Sequence, residues 1–173
     1  MLWNIDQAHS QIQFSTKHMG ISTVRGTFGS FDGTIDTEDG QVSGVTAEID
    51  VASLDTGNGQ RDGHLKSPDY FDIANHPRIT FTAKGAKDVD HDGSWELTGD
   101  LTINGITKPI TLSVEWGGVM KDPWGNTKAG VTINGKLNRK DWNLNWNAAL
   151  EAGGMLVSDE VRISCEVQLA KQG

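Results

Sequence analysis

Between residues 53 and 81, Arg61, Asp62, His64, Lys66 and Asp69 crowd beside Leu65, Tyr70 and Phe71. An imidazole, two carboxylates, a guanidinium and an amine so close together are the ingredients of general acid–base chemistry, with His64 as the base. No serine or cysteine stands in a recognisable nucleophile motif, and a triad is defined by geometry rather than by order in the chain. A structural ion pair that holds this stretch in place is the competing reading. Two further polar residues fall in the apolar phase of strands. His18 follows Phe14 at a strand end, where it either meets a ligand head group or is hydrogen-bonded locally. Arg139 follows Leu137, where it either grips an anion bidentately or pairs internally with Asp141, Asp62 or Asp69. His9, His18, His64, His76 and His91 show none of the tight spacings of zinc ligands, and Gly117-Gly118 and Gly153-Gly154 lack the context of a phosphate loop. No metal or cofactor is expected. The single cysteine, Cys165, shares a strand face with Ile163 and Val167, the setting of a buried inert thiol rather than a nucleophile.

The elements that must position these residues are mostly strands. Ile12, Phe14, Thr16 and His18 alternate with polar neighbours. Val24, Gly26 and Phe28 begin a second strand. Phe31, Gly33 and Ile35 continue it after a phase shift at Gly29-Ser30, which predicts a bulge or bend. Further strands carry Val45 to Val51, Ile79 to Ala83, Trp95 to Ile103, Ile110 to Trp116, Ala129 to Leu137 and Val161 to Leu169. Asn104-Gly105 is a hairpin signal, whereas Asn134-Gly135 sits within an unbroken phase and reads as strand. A short helix starting from Asn58 or Asp55 runs through Lys66 and stops at Pro68, so the helical segment lies near residues 58–72. The fold class is therefore all-β, with eight antiparallel strands closed into a barrel so that no edge is left exposed. No linker or repeat divides residues 1–173, which read as a single domain.

A formal net charge of −8 repels nucleic acid and anionic membrane surfaces, so neither is expected as a bulk partner. No run approaches the roughly 20 apolar residues of a membrane-spanning helix, and no basic-then-apolar leader opens the chain. A cytoplasmic location is the expectation, or a periplasmic one if the chain has been processed. A homodimer is compatible with the sequence, which points to no interface.

An eight-stranded barrel is either filled by side chains or holds one small ligand. The inward phase contains Gly26, Gly33, Ala47, Ala83, Gly99, Ala129 and Gly135. Small residues there favour a cavity; the alternative is that strand glycines mark bends or close backbone approach. A hollow interior lined by Phe14, Phe28, Phe81, Leu101, Val114 and Val131 would suit a long, slender, apolar molecule, with polar groups at the mouth. On this reading Gly99→Leu blocks the cavity and leaves the barrel folded.

Several motifs resemble a known family. Asp6-Gln7-Ala8-His9-Ser10, Lys17-His18-Met19-Gly20 and Val24-Arg25-Gly26-Thr27-Phe28 open the resemblance. Asp55-Thr56-Gly57, the run from Arg61 to Ser67, and Tyr70-Phe71 form its centre. Ile79-Thr80-Phe81, the run from Gly99 to Pro109, and Arg139-Lys140-Asp141-Trp142 complete it. In this order they resemble the YceI-like family over nearly the whole chain. The resemblance implies a lipocalin-like barrel that binds a polyisoprenoid or similar long-chain lipid, of the isoprenoid quinone or prenyl phosphate class, for transport, storage or sequestration. It implies no catalytic residues. Many family members carry a secretion signal, which this sequence does not show.

The expected ligand-binding residues are Phe14, His18, Phe28, Leu65, Phe71, Phe81, Gly99, Leu101, Val114, Val131, Arg139 and Trp142. Two other classes of function compete with a non-catalytic lipid binder. One is an enzyme acting on an isoprenoid-like substrate, with His64 or His18 as base. The other is a solid-cored module that binds a partner through an exposed Trp124 or Trp146.

Overall fold

The structure, a computed structural model, describes residues 1–39, 41–89, 93–147 and 157–172. Alternation of apolar and polar side chains commits most of them to strands. In chain order these are β1 (Leu2–Ile5), β2 (Gln11–His18), β3 (Ser22–Phe28), β4 (Phe31–Glu38), β5 (Gln41–Asp50) and β6 (Leu54–Asp55), followed after a helix by β7 (Arg78–Ala83), β8 (Ala86–Asp88), β9 (Ser94–Ile103), β10 (Ile106–Lys121), β11 (Thr127–Asn138) and β12 (Glu160–Lys171). The helix is α1 (Gly59–Lys66).

All the pairings between these strands are antiparallel, and they close on themselves. β12 pairs with β2 from Arg162 to Glu166, then with β1 from Leu169 to Lys171. β1 and β2 are thus two halves of one stave, separated by a 3-10 turn at Gln7–His9. β3 and β4 are likewise one stave bent at Gly29-Ser30, since β3 pairs with β2 and β4 with β1. β7 and β8 both pair with β9 and share a third stave. With β5, β9, β10, β11 and β12 this makes a closed eight-stave antiparallel barrel. Closure satisfies the edge hydrogen bonds that an open sheet would expose.

The turns follow their residues. Asn104 and Gly105, at φ 54 and 75, join β9 to β10 in the left-handed conformation that a two-residue hairpin requires. Asn134 and Gly135 stay within β11, as their unbroken phase predicts. β1 was not anticipated, because four residues with apolar Leu2, Trp3 and Ile5 carry too little periodicity. β10 also outruns the expected end at Trp116. A bulge between Trp116 and Gly118, where φ is +117, bends it onward as an arm paired with β11.

The helix begins where a cap is available: the Asn58 side chain accepts from the Arg61 amide at 3.1 Å. It ends before Pro68, and the chain then folds back through Phe71 N–H to Leu65 O at 3.0 Å and Ile73 N–H to Lys66 O at 3.1 Å. These turns place Tyr70 and Phe71 over one end of the barrel.

Candidate functional site

The barrel is hollow, and its interior is two adjoining chambers. The first, of about 520 Å³, lies under α1. Its apolar wall includes Phe14, Phe28, Leu65, Phe71 and Ile79, and its polar groups include Lys17, His18, Asn58, Arg61, His64 and Arg139. The second, of about 550 Å³, is walled mostly by strand residues, among them Trp3, Trp95, Trp116, Phe81 and Val131. No charged side chain lines it among the described residues. Ile12, Ile49, Leu101 and Ile163 line both.

The expected ligand-binding residues divide accordingly. Phe14, His18, Phe28, Leu65, Phe71 and Arg139 line the first chamber. Phe81, Val114 and Val131 line the second, and Leu101 touches both. Gly99 and Trp142 line neither. Trp142 is only 2% exposed, and its indole N–H donates to the Leu101 carbonyl at 2.9 Å, so it braces the wall from behind.

Gly99 corrects the reasoning that strand glycines leave space. A Cβ built there would lie 2.5 Å from the Thr82 carbonyl oxygen and 2.6 Å from the Phe81 ring. At Gly26 it would meet the Phe14 ring at 2.3 Å, and at Gly135 the Leu112 side chain at 2.4 Å. These glycines are places where a neighbouring strand's side chain lies flat on bare backbone. The lumen exists in spite of them, and Gly99→Leu would distort the sheet rather than block an empty space.

The charged cluster around α1 is mostly structural. Arg61 donates through Nε to Thr56 Oγ1 and through Nη2 to Thr56 O, both at 2.7 Å. Asp62 Oδ1 accepts from Thr56 N–H at 3.0 Å and Thr56 Oγ1 at 2.5 Å. Thr56, not an Arg61–Asp62 ion pair, ties the helix to the barrel rim. The His64–carboxylate contact that does form here is a hydrogen bond between His64 Nε2 and Asp69 Oδ2 at 2.8 Å. The His64 ring stands edge-on to Trp146 and Tyr70, with centroids 4.6 and 5.3 Å away. Tyr70 is buried, and its hydroxyl donates to the Trp146 carbonyl at 3.4 Å. Burial raises its phenol pKa, with Arg139 partly opposing.

Arg139 is 2% exposed, and its guanidinium faces carbonyls rather than the aspartates expected of it. Nε donates to Ser158 O at 2.9 Å, and Nη1 donates to Leu144 O and, at 3.0 Å, to Trp146 O. Nη2 reaches Val157 O at 3.5 Å and stands 4.0 Å from Asp159 Oδ1. One buried cation thus clamps the two segments that complete the first chamber's wall. His18 is half-buried at the end of β2, with no hydrogen bond to its ring among the described residues, so its imidazole is the less committed of the two.

Closed barrel, bent second stave and helix-capped lumen together set the terms for comparison with known proteins. A family model, the YceI-like domain, matches residues 3–169. The chain belongs to the YceI-like family. UPF0312 proteins of Staphylococcus epidermidis and Staphylococcus aureus are 36% identical to it over 171 residues, covering 97% of this chain and 96% of theirs. The crystal structure of a Campylobacter jejuni YCEI protein matches with a TM-score of 0.78 at 33% identity, over 97% of this chain and 96% of that one. A polyisoprenoid binding domain from Saccharophagus degradans, implicated in plant cell wall breakdown, shares the fold with a TM-score of 0.71 at 15% identity, over 98% of both chains.

In this YceI-like barrel the residues missed by sequence reasoning come mainly from loops. Tyr70, Leu144, Trp146 and Val157 line the first chamber without any periodicity to reveal them. The long connections rich in tryptophan were the available signal. Trp95 and Trp116 lie in the readable strand phase but were not singled out. Trp146 is half-buried against His64, whereas Trp124 is 83% exposed in the β10–β11 turn. Cys165 is buried in the second chamber's wall, and burial pushes its thiol pKa up to about 11, a backbone hydrogen bond at Gln13 slightly opposing. No described helix is long and apolar enough to cross a membrane.

Proposed function

We propose that this protein binds a single-chain lipid of the polyisoprenoid class inside its barrel, with the polar end under α1 and the tail directed away from it. One observation carries the reading: two adjoining apolar chambers fill a closed barrel, and among the described residues charged side chains line only the chamber under the helix. Each chamber falls within the ~300–1,000 Å³ usual for small-molecule sites. Burial gains about 0.8 kcal/mol per methylene, so a chain occupying both chambers gains far more than one occupying either. The name of the Saccharophagus degradans domain, which shares the fold, points to the same ligand class.

Binding without turnover is the preferred reading. His64 has a carboxylate partner, but among the described residues no hydroxyl or thiol hydrogen-bonds to its ring, as a nucleophile paired with a base would.

The test is mass spectrometry of the purified protein, native and after solvent extraction, followed by refilling with a prenyl alcohol and a prenyl quinone. A stoichiometric lipid, carried through purification or taken up afterwards, is expected. A protein that arrives empty and takes up neither probe is not a lipid carrier. Cleavage or modification of an offered isoprenyl diphosphate, lost in His64→Ala, would replace binding with catalysis.

A further inference from the structure

The four residues common to both chambers form a distinct feature. Ile12, Ile49, Leu101 and Ile163 come from β2, β5, β9 and β12; β12 and β2 are paired neighbours, β5 and β9 flank β7, and none comes from β10 or β11, so together they reach the lumen from all but its β10–β11 side. Three are isoleucines, whose branching at Cβ restricts χ1 and makes them poor at swinging aside. Leu101 is held by its neighbours: it is 6% exposed, pairs across strands with Phe81, and its carbonyl accepts from Trp142. A stiff aliphatic ring, broken on the β10–β11 side, therefore marks the junction of the chambers, with comparable space on either side.

We propose that this ring narrows the lumen and acts as a chain-length gauge. Resting on the lipid-binding reading above, it separates ligands into two kinds. A short chain anchored by its polar end fills only the chamber under α1. A chain long enough to thread the ring also enters the tryptophan-lined chamber and gains its second apolar surface. The polar end has little reason to pass: beyond the ring no charged side chain lines the lumen among the described residues, and the Met1 ammonium there already donates to the Thr37 carbonyl at 2.6 Å. The ring favours a single slender chain, and a fused-ring lipid would have to force four packed side chains apart.

The experiment measures the affinity of the full chain for saturated fatty acids of increasing length, then repeats the series with Ile163→Phe. In the parent protein affinity rises about three- to fourfold per added methylene, past the length that fills the first chamber. In Ile163→Phe the rise stops early, and the ratio of long-chain to short-chain affinity falls at least tenfold. Ile49→Phe approaches from another stave and makes the same prediction if Ile163→Phe does not fold. A second readout places the chain end. Octadecanoic acid brominated at its terminal carbon should quench the fluorescence that Trp116→Phe removes, not that which Trp146→Phe removes, and should cease to do so when the ring is filled. Equal slopes in parent and ring variants, or a terminal bromine that quenches Trp146, overturn the gauge while leaving lipid binding intact. Failure of the parent to bind any acid or prenyl lipid overturns both.

Discussion

The chamber under α1 and the chamber beyond the ring share one barrel but are held by different interactions. Beyond the ring the wall is strand ladder except at Met1 and Gly93: Trp3 and Trp116 meet edge-on with centroids 5.8 Å apart, and Val131 and Cys165 lie on paired staves close to them. Under α1 the wall is finished by loops, and loops need local polar fastenings. Thr56 holds Arg61 and Asp62, Asn58 caps the helix, and Arg139 ties down the carbonyls on either side of residues 148–156. A ladder distributes its stability over many bonds, whereas these fastenings concentrate it in a few side chains. The loop-built chamber is therefore the one that single substitutions can open.

Arg139 gives the largest expected contrast. Arg139→Leu removes the buried donors and leaves several carbonyls unpaired, a loss of about 3–5 kcal/mol by analogy with breaking a buried charge pair. Urea unfolding should show the drop. Arg139→Lys should recover little, since a compact ammonium cannot reproduce a planar fork that serves carbonyls on several sides. Recovery to parent stability in the lysine variant would mean that charge, not the fork, closes this chamber.

Glycines of the sheet, set against one in the helix, come next. Gly99→Ala forces a methyl against the Thr82 carbonyl and the Phe81 ring and should cost about 1–3 kcal/mol. Gly130→Ala, in β11 with nothing within 4 Å of the added methyl, should change stability by no more than about 0.5 kcal/mol. Gly63→Ala, exposed within α1 and equally unobstructed, should stabilise by about 0.5–1 kcal/mol. Thermal unfolding of the three checks that close approach, and not glycine itself, distinguishes these positions.

These contrasts show how far the sequence could be read. Period-two alternation carried the eight staves, and Asn104-Gly105 the central hairpin, because strand phase and turn conformation are local properties. The helix from Asn58 to Lys66 was legible for the same reason. Gly99 was not, since the pattern shows that a position faces inward but not that Phe81 from the next strand lies across it. Arg139 continues the phase of Leu137 at a strand end, yet its partners are carbonyls, and carbonyls are present in every residue and leave no mark in a sequence. Tyr70 and Trp146 come together from connections 76 residues apart, a contact that no spacing rule encodes.

A smaller effect belongs to the helix cap. Asn58→Ala removes the acceptor for the Arg61 amide and should cost about 1 kcal/mol. The loss should appear as faster amide exchange confined to α1, with the strands around Cys165 unchanged. Exchange that quickens equally throughout would mean that the helix and barrel unfold together and that the two chambers are not separately held.

Cys165 reports on the strand-built chamber without disturbing it. Only the thiolate reacts with an alkylating agent, and a pKa of about 11 against the ordinary 9.0 lowers the thiolate fraction at pH 8 about a hundredfold. Alkylation of the folded protein should therefore run at least that much slower than of the unfolded chain. Burial favours the neutral thiol, so its contribution to stability is complete below pH 9 and is lost as pH rises towards 11. Cys165→Ala should flatten that part of the stability profile. Because Cys165 lines only the second chamber, a ligand that stops at the ring should leave its alkylation rate unchanged, and one that passes should slow it further. Protection by short and long chains alike would place the short chain beyond the ring and reverse the order in which the two chambers fill.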